Sequence, residues 1–203
     1  MAEIWESIYK SNHEMWGLNP TPSTLITKDF FIEKGIKNML IPGFGYGRNA
    51  QVFIENGIQV TGIEISKTAI EKAQKHFGAD TKIYHGSVSA MPFDTIKYDG
   101  IYSYSLIHLL DTEERKKLIK DCYNQLLEGG YMIFVVVSKK APNYGTGNFI
   151  SENRYEVHKG LCLYFYDEKS IENEFGDFGL FEISEIDEDL PFYIVKCKKN
   201  LNT

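Results

Sequence analysis

The chain has 203 residues and a mass of 23.3 kDa, which suits one domain, since chains usually divide only beyond ~250–300 residues. Its 22 Lys plus Arg against 28 Asp plus Glu give a net charge of −6, a poor balance for coating nucleic acid, where phosphate contacts supply most non-specific affinity. Hydrophobic residues at 43% and charged residues at 25% make a globular mix, and 13 Phe, 13 Tyr and 2 Trp make it rich in flat, bulky side chains.

Cys122, Cys162 and Cys197 are odd in number and include no Cys-x-x-Cys pair, which argues against a disulfide framework or a structural zinc and fits a reducing cytoplasm. The start, Met-Ala-Glu-Ile-Trp-Glu, lacks the basic and apolar regions of a signal peptide. The densest apolar run, Tyr131–Val137, is far short of the ~20 residues that span a bilayer. The expectation is a cytoplasmic protein with no membrane partner.

In chain order, residues 4–16 predict an amphipathic helix with Trp5, Ile8 and Tyr9 on one side, ended by Pro20 and Pro22. Thr24–Glu33 predicts a second helix. Lys37–Pro42 is a buried strand closed by glycine, followed by a helix over 49–56. Ile58–Ile65 is a β-branched second strand. Ser66 is placed to cap a helix over Lys67–Phe77. Lys82–His85 and Tyr98–Tyr104 are the third and fourth strands. Asp111 and Glu114 have the spacing of a capping box for a helix over 112–127, stopped by Gly129-Gly130. Tyr131–Val137 is a fifth strand, and residues 138–153 are polar enough to be a loop. Glu168–Phe175 predicts a last helix, and Phe181–Ile186 and Phe192–Lys198 predict a closing antiparallel pair. The alternation implies a doubly wound, Rossmann-like α/β sheet of seven strands, mostly parallel with a C-terminal antiparallel hairpin.

Between the first strand and the next helix runs Gly43-Phe44-Gly45-Tyr46-Gly47-Arg48-Asn49-Ala50. Glycines there permit φ > 0 and let a ligand approach the backbone. A dinucleotide fingerprint needs a small residue at position 48, which is Arg, and a P-loop needs Gly-Lys-Ser/Thr, which is absent. Glu64 ends the second strand, where a carboxylate can accept hydrogen bonds from vicinal ribose hydroxyls.

These segments resemble class I S-adenosylmethionine-dependent methyltransferases. The likeness rests on Met39 to Gly47, on Val60-Thr61-Gly62-Ile63-Glu64-Ile65-Ser66, on Tyr98-Asp99-Gly100-Ile101-Tyr102-Ser103 and on Leu126-Leu127-Glu128-Gly129-Gly130-Tyr131. Within the class, Gly47-Arg48-Asn49-Ala50 and the chain's size look like the tellurite-resistance and thiopurine small-molecule group. The resemblance implies S-adenosylmethionine as cofactor. Gly43, Gly45 and Gly47 would wrap its methionine and ribose part, with Phe44 beside them. Glu64 would bind the ribose, Ile65, Ser87 and Val88 would meet the adenine, and Ser103 and Tyr104 would flank the methionyl part. Two positions depart from the pattern. A common acid at 41 is Ile here, and a common Asp at 87 is Ser.

Methyl transfer from a sulfonium has a neutral leaving group, so positioning and exclusion of water matter most. Aromatic faces suit the cation. His108 and Tyr104 are the candidates for a catalytic group. The acceptor side is expected from an N-terminal helical lid (1–35), with Trp5, Tyr9 and Trp16. An insertion (138–166), with Arg154 and His158, would supply the rest. Ser103-Tyr104-Ser105-Leu106 stands where methyltransferases of exocyclic nitrogens carry Asn/Asp-Pro-Pro-Tyr/Phe. A small-molecule acceptor follows, without nucleic acid or metal, in a monomer or homodimer. The rival readings are a nicotinamide-dependent oxidoreductase and a non-catalytic S-adenosylmethionine-binding protein.

Overall fold

In a computed structural model the chain is described over residues 2–11, 16–78 and 81–201. One sheet has seven strands in the order β3-β2-β1-β4-β5-β10-β9, and a second, three-stranded sheet has the order β6-β7-β8. The chain falls into two compact units, residues 1–102 and 103–203.

The first unit holds α1 (Ala2–Ser11), α2 (Pro22–Glu33), β1 (Asn38–Pro42), α3 (Gln51–Glu55), β2 (Gln59–Glu64), α4 (Lys67–Phe77) and β3 (Lys82–His85). Most of β4 (Tyr98–Tyr104) completes it. β1 pairs in parallel with β2 from Asn38↔Gln59 to Pro42↔Ile63, and with β4 at Met39↔Gly100 and Leu40↔Ile101. β2 pairs in parallel with β3 from Thr61↔Lys82 to Glu64↔His85. The carboxyl ends of β1, β2 and β3 therefore lie side by side, where open α/β sheets bind ligands. The helix starts are locally encoded. Thr21 caps α2 with Pro22 in its first turn, and the Ser66 hydroxyl caps α4 by accepting from Ala69 N–H at 3.1 Å. Met39, Leu40, Ile63 and Ile101 are at most 1% exposed, which explains why these strands read as continuous apolar runs. The predicted first helix ends at Ser11 in the structure, and residues 12–15 lie outside the described residues.

The second unit holds α5 (Thr112–Gln125), β5 (Leu126–Val137), β6 (Asn148–Ser151), β7 (Arg154–His158), β8 (Leu161–Tyr164), α6 (Glu168–Phe175), β9 (Leu180–Asp187) and β10 (Pro191–Lys198). β10 runs antiparallel to β5 from Phe192↔Val137 to Lys198↔Tyr131, and antiparallel to β9, as the closing hairpin predicts. The predicted capping box of Asp111 and Glu114 forms on α5, and the structure adds a second, Asp167 with Ser170, on α6.

Two sequence expectations need correction here. The helix expected over 112–127 stops at Gln125, and β5 begins at once with Leu126. Gly129 and Gly130 lie within that strand, held by Gly129 N–H to Lys199 C=O (3.0 Å) and Lys199 N–H to Gly130 C=O (2.9 Å). The segment read as a loop over 138–153 contains β6, the first strand of the three-stranded antiparallel sheet β6-β7-β8. These strands are short and half exposed, so they carry no buried alternation to announce them. Among the described residues, no helix is long and apolar enough to cross a membrane.

Candidate cofactor site

The site is built where β1 turns into the glycine loop. Gly43 and Phe44 N–H both donate to Ile63 C=O, at 2.9 and 3.0 Å, folding the loop back over the end of β2. Gly45 has φ 59° and donates its N–H to Glu64 Oε2 at 2.7 Å; a Cβ there would stand 3.1 Å from the Tyr9 hydroxyl. Gly47 has φ 87°, and a Cβ would meet Phe77 Cε2 at 2.1 Å, so both conformation and space require glycine.

Glu64 is 6% exposed. Its Oε1 accepts from Ser66 N–H at 2.8 Å while Oε2 takes Gly45, so one carboxylate ties the loop to the start of α4. The two carboxylate oxygens have four acceptor directions between them, more than the backbone N–H groups of Ser66, Gly45 and Ile65 take, so the group can still accept from an incoming hydroxyl. Burial pushes its pKa upward, against the pull of the Ser66, Gly45 and Ile65 N–H groups on the charged form.

The neighbouring candidates gather on the same side. Ile65 is half-buried directly after Glu64. Gly86 N–H donates to Glu64 C=O at 2.9 Å, which places Ser87 and Val88 next to that strand end. Ser87 caps a short 3-10 turn by accepting from Ser89 N–H (3.2 Å), and Val88 is buried in it. Phe44, expected beside the cofactor, instead turns inward: its ring fills the space that a Cβ on Gly62 would occupy, at 2.4 Å.

Trp5 and Tyr9, one turn apart on α1, come together with Trp16 and Tyr46. Their ring centroids are 6.1–6.5 Å apart in every pair but Trp5 with Tyr46. Tyr46 donates its hydroxyl to Gly17 C=O at 2.6 Å. Burial, then the Glu64 charge, raise the Tyr9 pKa, so its phenol keeps its proton beside the glycine loop.

The second unit carries the remaining candidates. Ser103 is 1% exposed, and its hydroxyl has no partner among the described residues. A buried orphan hydroxyl at a strand's carboxyl end is a group waiting for a ligand or water. Tyr104 donates to Glu188 Oε2 at 2.9 Å. Ser105 adopts φ 53° just beyond β4, an uncommon conformation for a residue with a side chain. His108 is buried between these groups: Val137 N–H donates to its Nδ1 (3.3 Å), and its Nε2 faces Ser105 Oγ at 3.3 Å. The lone pair of the neutral ring is thus already taken. Arg154 reaches Leu109 C=O at 3.5 Å with Nη2, while its Nε is buried without a partner among the described residues. His158 is exposed at the end of β7 and does not join Arg154 in a cluster. No group of three or more His, Cys, Asp or Glu that could hold a metal occurs among the described residues. Sequence reasoning missed Ser105, Glu188 and Glu6, none of which has a local signature.

Burial pushes the His108 pKa down to about 3 from the usual 6.5. The unfolded chain therefore takes up a proton near pH 6.5 that the folded chain refuses, and stability falls as pH drops below 6.5. His108→Asn keeps an acceptor for Val137 N–H but no titrating ring. The expected result is a flatter stability profile between pH 6 and 4.5, differing from the parent by up to ~1.4 kcal/mol per pH unit in denaturant titrations. Parallel profiles would contradict a neutral buried ring.

Residues 40–134 match a family model described as "Methyltransferase domain". The match takes in just under half of the chain. A solved N1-methyltransferase of 1,6-didemethyltoxoflavin from Burkholderia thailandensis, holding that compound and S-adenosylhomocysteine, superposes with a TM-score of 0.78 at 15% identity, covering 98% of this chain and 87% of that one. A methyltransferase from Clostridium acetobutylicum, dependent on S-adenosylmethionine, superposes with a TM-score of 0.71 at 15% identity, covering 98% and 97%. An O-methyltransferase from Aspergillus sclerotiorum is 36% identical over 84 residues, which is 37% of this chain and 31% of that protein. The chain thus has the fold of these solved S-adenosylmethionine-dependent methyltransferases. The glycine loop and Glu64, which can still accept hydrogen bonds, fit that cofactor.

Proposed function

We propose that the protein transfers the methyl group of S-adenosylmethionine to a small-molecule acceptor. The observation that carries this is Glu64, buried at the end of β2, locked to the Gly45 N–H and still able to accept from ribose hydroxyls. The cofactor supplies a methyl on a sulfonium whose leaving group is a neutral thioether. The chain's part is to bind, orient and keep water out. Glu64 fixes the sugar, Ile65, Ser87 and Val88 lie against the base, and the Gly43–Gly47 backbone admits the methionine part. Ser103 offers its unpaired hydroxyl. Trp5, Tyr9 and Trp16 form the lid within an N-terminal segment of one 1–203 domain, and the 138–166 insertion contributes Arg154 to acceptor binding. His108, whose nitrogens already hold Val137 and Ser105, is a packing group in this reading, and the acceptor enters as a nucleophile needing no base from it.

A small acceptor is supported by the acidic balance and by Ser103-Tyr104-Ser105-Leu106 in place of a base-flipping motif. The toxoflavin N1-methyltransferase and the O-methyltransferase among its likenesses agree with it. The likeness of Gly47–Ala50 to the tellurite-resistance and thiopurine group belongs to the same proposal. The nicotinamide reading is disfavoured by Arg48, whose Nε donates to Asn19 C=O at 2.6 Å, at the position a dinucleotide fingerprint keeps small.

Thermal unfolding with S-adenosylhomocysteine tests the cofactor. At one hundred times its Kd, the ligand adds about 2.7 kcal/mol to stability, a rise of several degrees in Tm. NADH leaves Tm unchanged on this reading. The absence of any response to S-adenosylhomocysteine overturns it.

A further inference from the structure

Glu6, on the outer turn of α1, holds α4 by its very start. Its Oε2 accepts from the Ser66 hydroxyl at 2.7 Å and from Thr68 N–H at 3.2 Å, and its Oε1 accepts from the Thr68 hydroxyl at 2.6 Å. Lys10 lies 3.3 Å from Oε1 on the solvent side. Ser66 and Thr68 follow Glu64 by two and four positions. Ser66 therefore works at both ends: its N–H donates to Glu64 Oε1 while its hydroxyl donates to Glu6 Oε2. A second tie joins the same helices, Lys72 Nζ to Tyr9 C=O at 2.5 Å.

We propose that Glu6 is a positioning residue that latches α1 over the cofactor site and, through Ser66, couples the lid to occupation of Glu64. This rests on the reading of Glu64 as the ribose-binding acid. The geometry requires some such device. Glu64 is 6% exposed, and the Tyr9 hydroxyl stands against the face of Gly45, so α1 closes the glycine loop as well as the acid. α1, whose Tyr9 stands against Gly45, is held to α4 by polar contacts that lie outside the apolar core. Its buried contribution is narrow: Tyr9 alone is buried on this helix, with Trp5 packed against the Tyr9–Tyr46–Ala69 cluster.

The latch is charge-assisted. The Thr68 and Ser66 hydrogen bonds hold the Glu6 carboxyl down at about 2, so it is ionised throughout the neutral range. It also faces the N-terminus of α4, whose free N–H groups favour an anion. A hydrogen bond donated to Glu64 and one donated to Glu6 share one serine. Motion of Ser66 as ribose hydroxyls engage Glu64 is therefore felt at the lid, and the reverse also holds.

The chain reports on this itself, because its 2 tryptophans are Trp5 and Trp16, both in the aromatic cluster under α1. Stopped-flow tryptophan fluorescence with S-adenosylhomocysteine, on the parent, Glu6→Ala, Glu6→Gln and Thr68→Val, is the test. Thr68→Val removes one donor to Glu6 while keeping shape and leaving Glu64, Gly45 and Ser66 intact. The expected result is that ligand-free Glu6→Ala has red-shifted emission and fast amide exchange over 2–11. Release of S-adenosylhomocysteine should be at least about tenfold faster than in the parent, with Gln and Thr68→Val in between. Global Tm moves little, since Glu6 lies outside the core. If the parent binds S-adenosylhomocysteine and Glu6→Ala matches it in emission, exchange and release, the latch is wrong while the cofactor reading stands. If the parent does not bind it at all, the cofactor reading fails and the coupling with it.

Discussion

Glu64→Ala is expected to abolish S-adenosylhomocysteine binding in calorimetric titrations that give a clear isotherm with the parent. Two ribose hydroxyls donating to one carboxylate each contribute ~1.5–3 kcal/mol as hydrogen bonds to a charged group. Their loss alone weakens binding by two to four orders of magnitude, at ~1.4 kcal/mol per tenfold. The alanine also strips the glycine loop of its anchor. Gly45 N–H loses its 2.7 Å acceptor and Ser66 N–H its 2.8 Å acceptor, in a part of the protein where Glu64 is 6% exposed. Each buried donor left unpaired costs about 1–3 kcal/mol, so Tm falls as well. Glu64→Gln separates the two effects. Its single oxygen keeps one of the two backbone donors, while its amide nitrogen meets the other as donor against donor. Glutamine is expected to lose most of the affinity and less of the stability. A Gln variant that binds within tenfold of the parent removes the ribose role from Glu64.

Much of this site was legible because its chemistry is local. Gly43, Gly45 and Gly47 announce themselves by composition, and Glu64 by its place after a β-branched run. The Ser66 and Asp111 caps lie within three residues of the amides they bind. The Trp5–Tyr9 pair was visible as a helix face, though not its meeting with Trp16 and Tyr46, which the fold alone brings about. What failed to show has a common cause. Glu6 is one acid on a half-exposed helix, and its partners Ser66 and Thr68 lie about sixty positions away, so no spacing rule connects them. The strands β6, β7 and β8 form a half-exposed sheet whose residues need not alternate. His108 was read as a possible base. Its neutral state is set by burial, and the Val137 N–H that donates to its ring lies twenty-nine positions on.

Glu174→Ala is expected to be among the most destabilising single changes in the second unit. Arg115 on α5 is 2% exposed, and all three of its nitrogens are occupied. Nε and Nη2 both reach Glu174 Oε1, at 3.0 and 2.9 Å, and Nη1 donates to Leu110 C=O at 3.2 Å. The guanidinium also lies 3.7 Å from the centre of the Tyr164 ring, and Tyr166 donates to Glu174 Oε2 at 2.8 Å. Removing the carboxylate strands a buried cation, which typically costs ~3–5 kcal/mol, a large part of the ~5–15 kcal/mol that holds a domain folded. For a chain of this size the drop in Tm is roughly 6–20 °C. Arg115→Met is expected to cost less, because it fills the space without leaving a charge in the core, and Glu174 retains the Tyr166 hydroxyl. The double variant Arg115→Met/Glu174→Leu should recover much of the loss, since a buried ion pair and a well-packed apolar pair of similar volume are close in free energy. A double-mutant cycle by thermal unfolding decides this. Additive losses would mean that Arg115 and Glu174 act independently and that the pair is not the anchor. Recovery would mean that it serves to fix geometry. It joins α5, α6 and the end of β8 at Tyr164, and so sets where the β6-β7-β8 sheet, with Arg154 on its middle strand, is held against the Leu109 carbonyl.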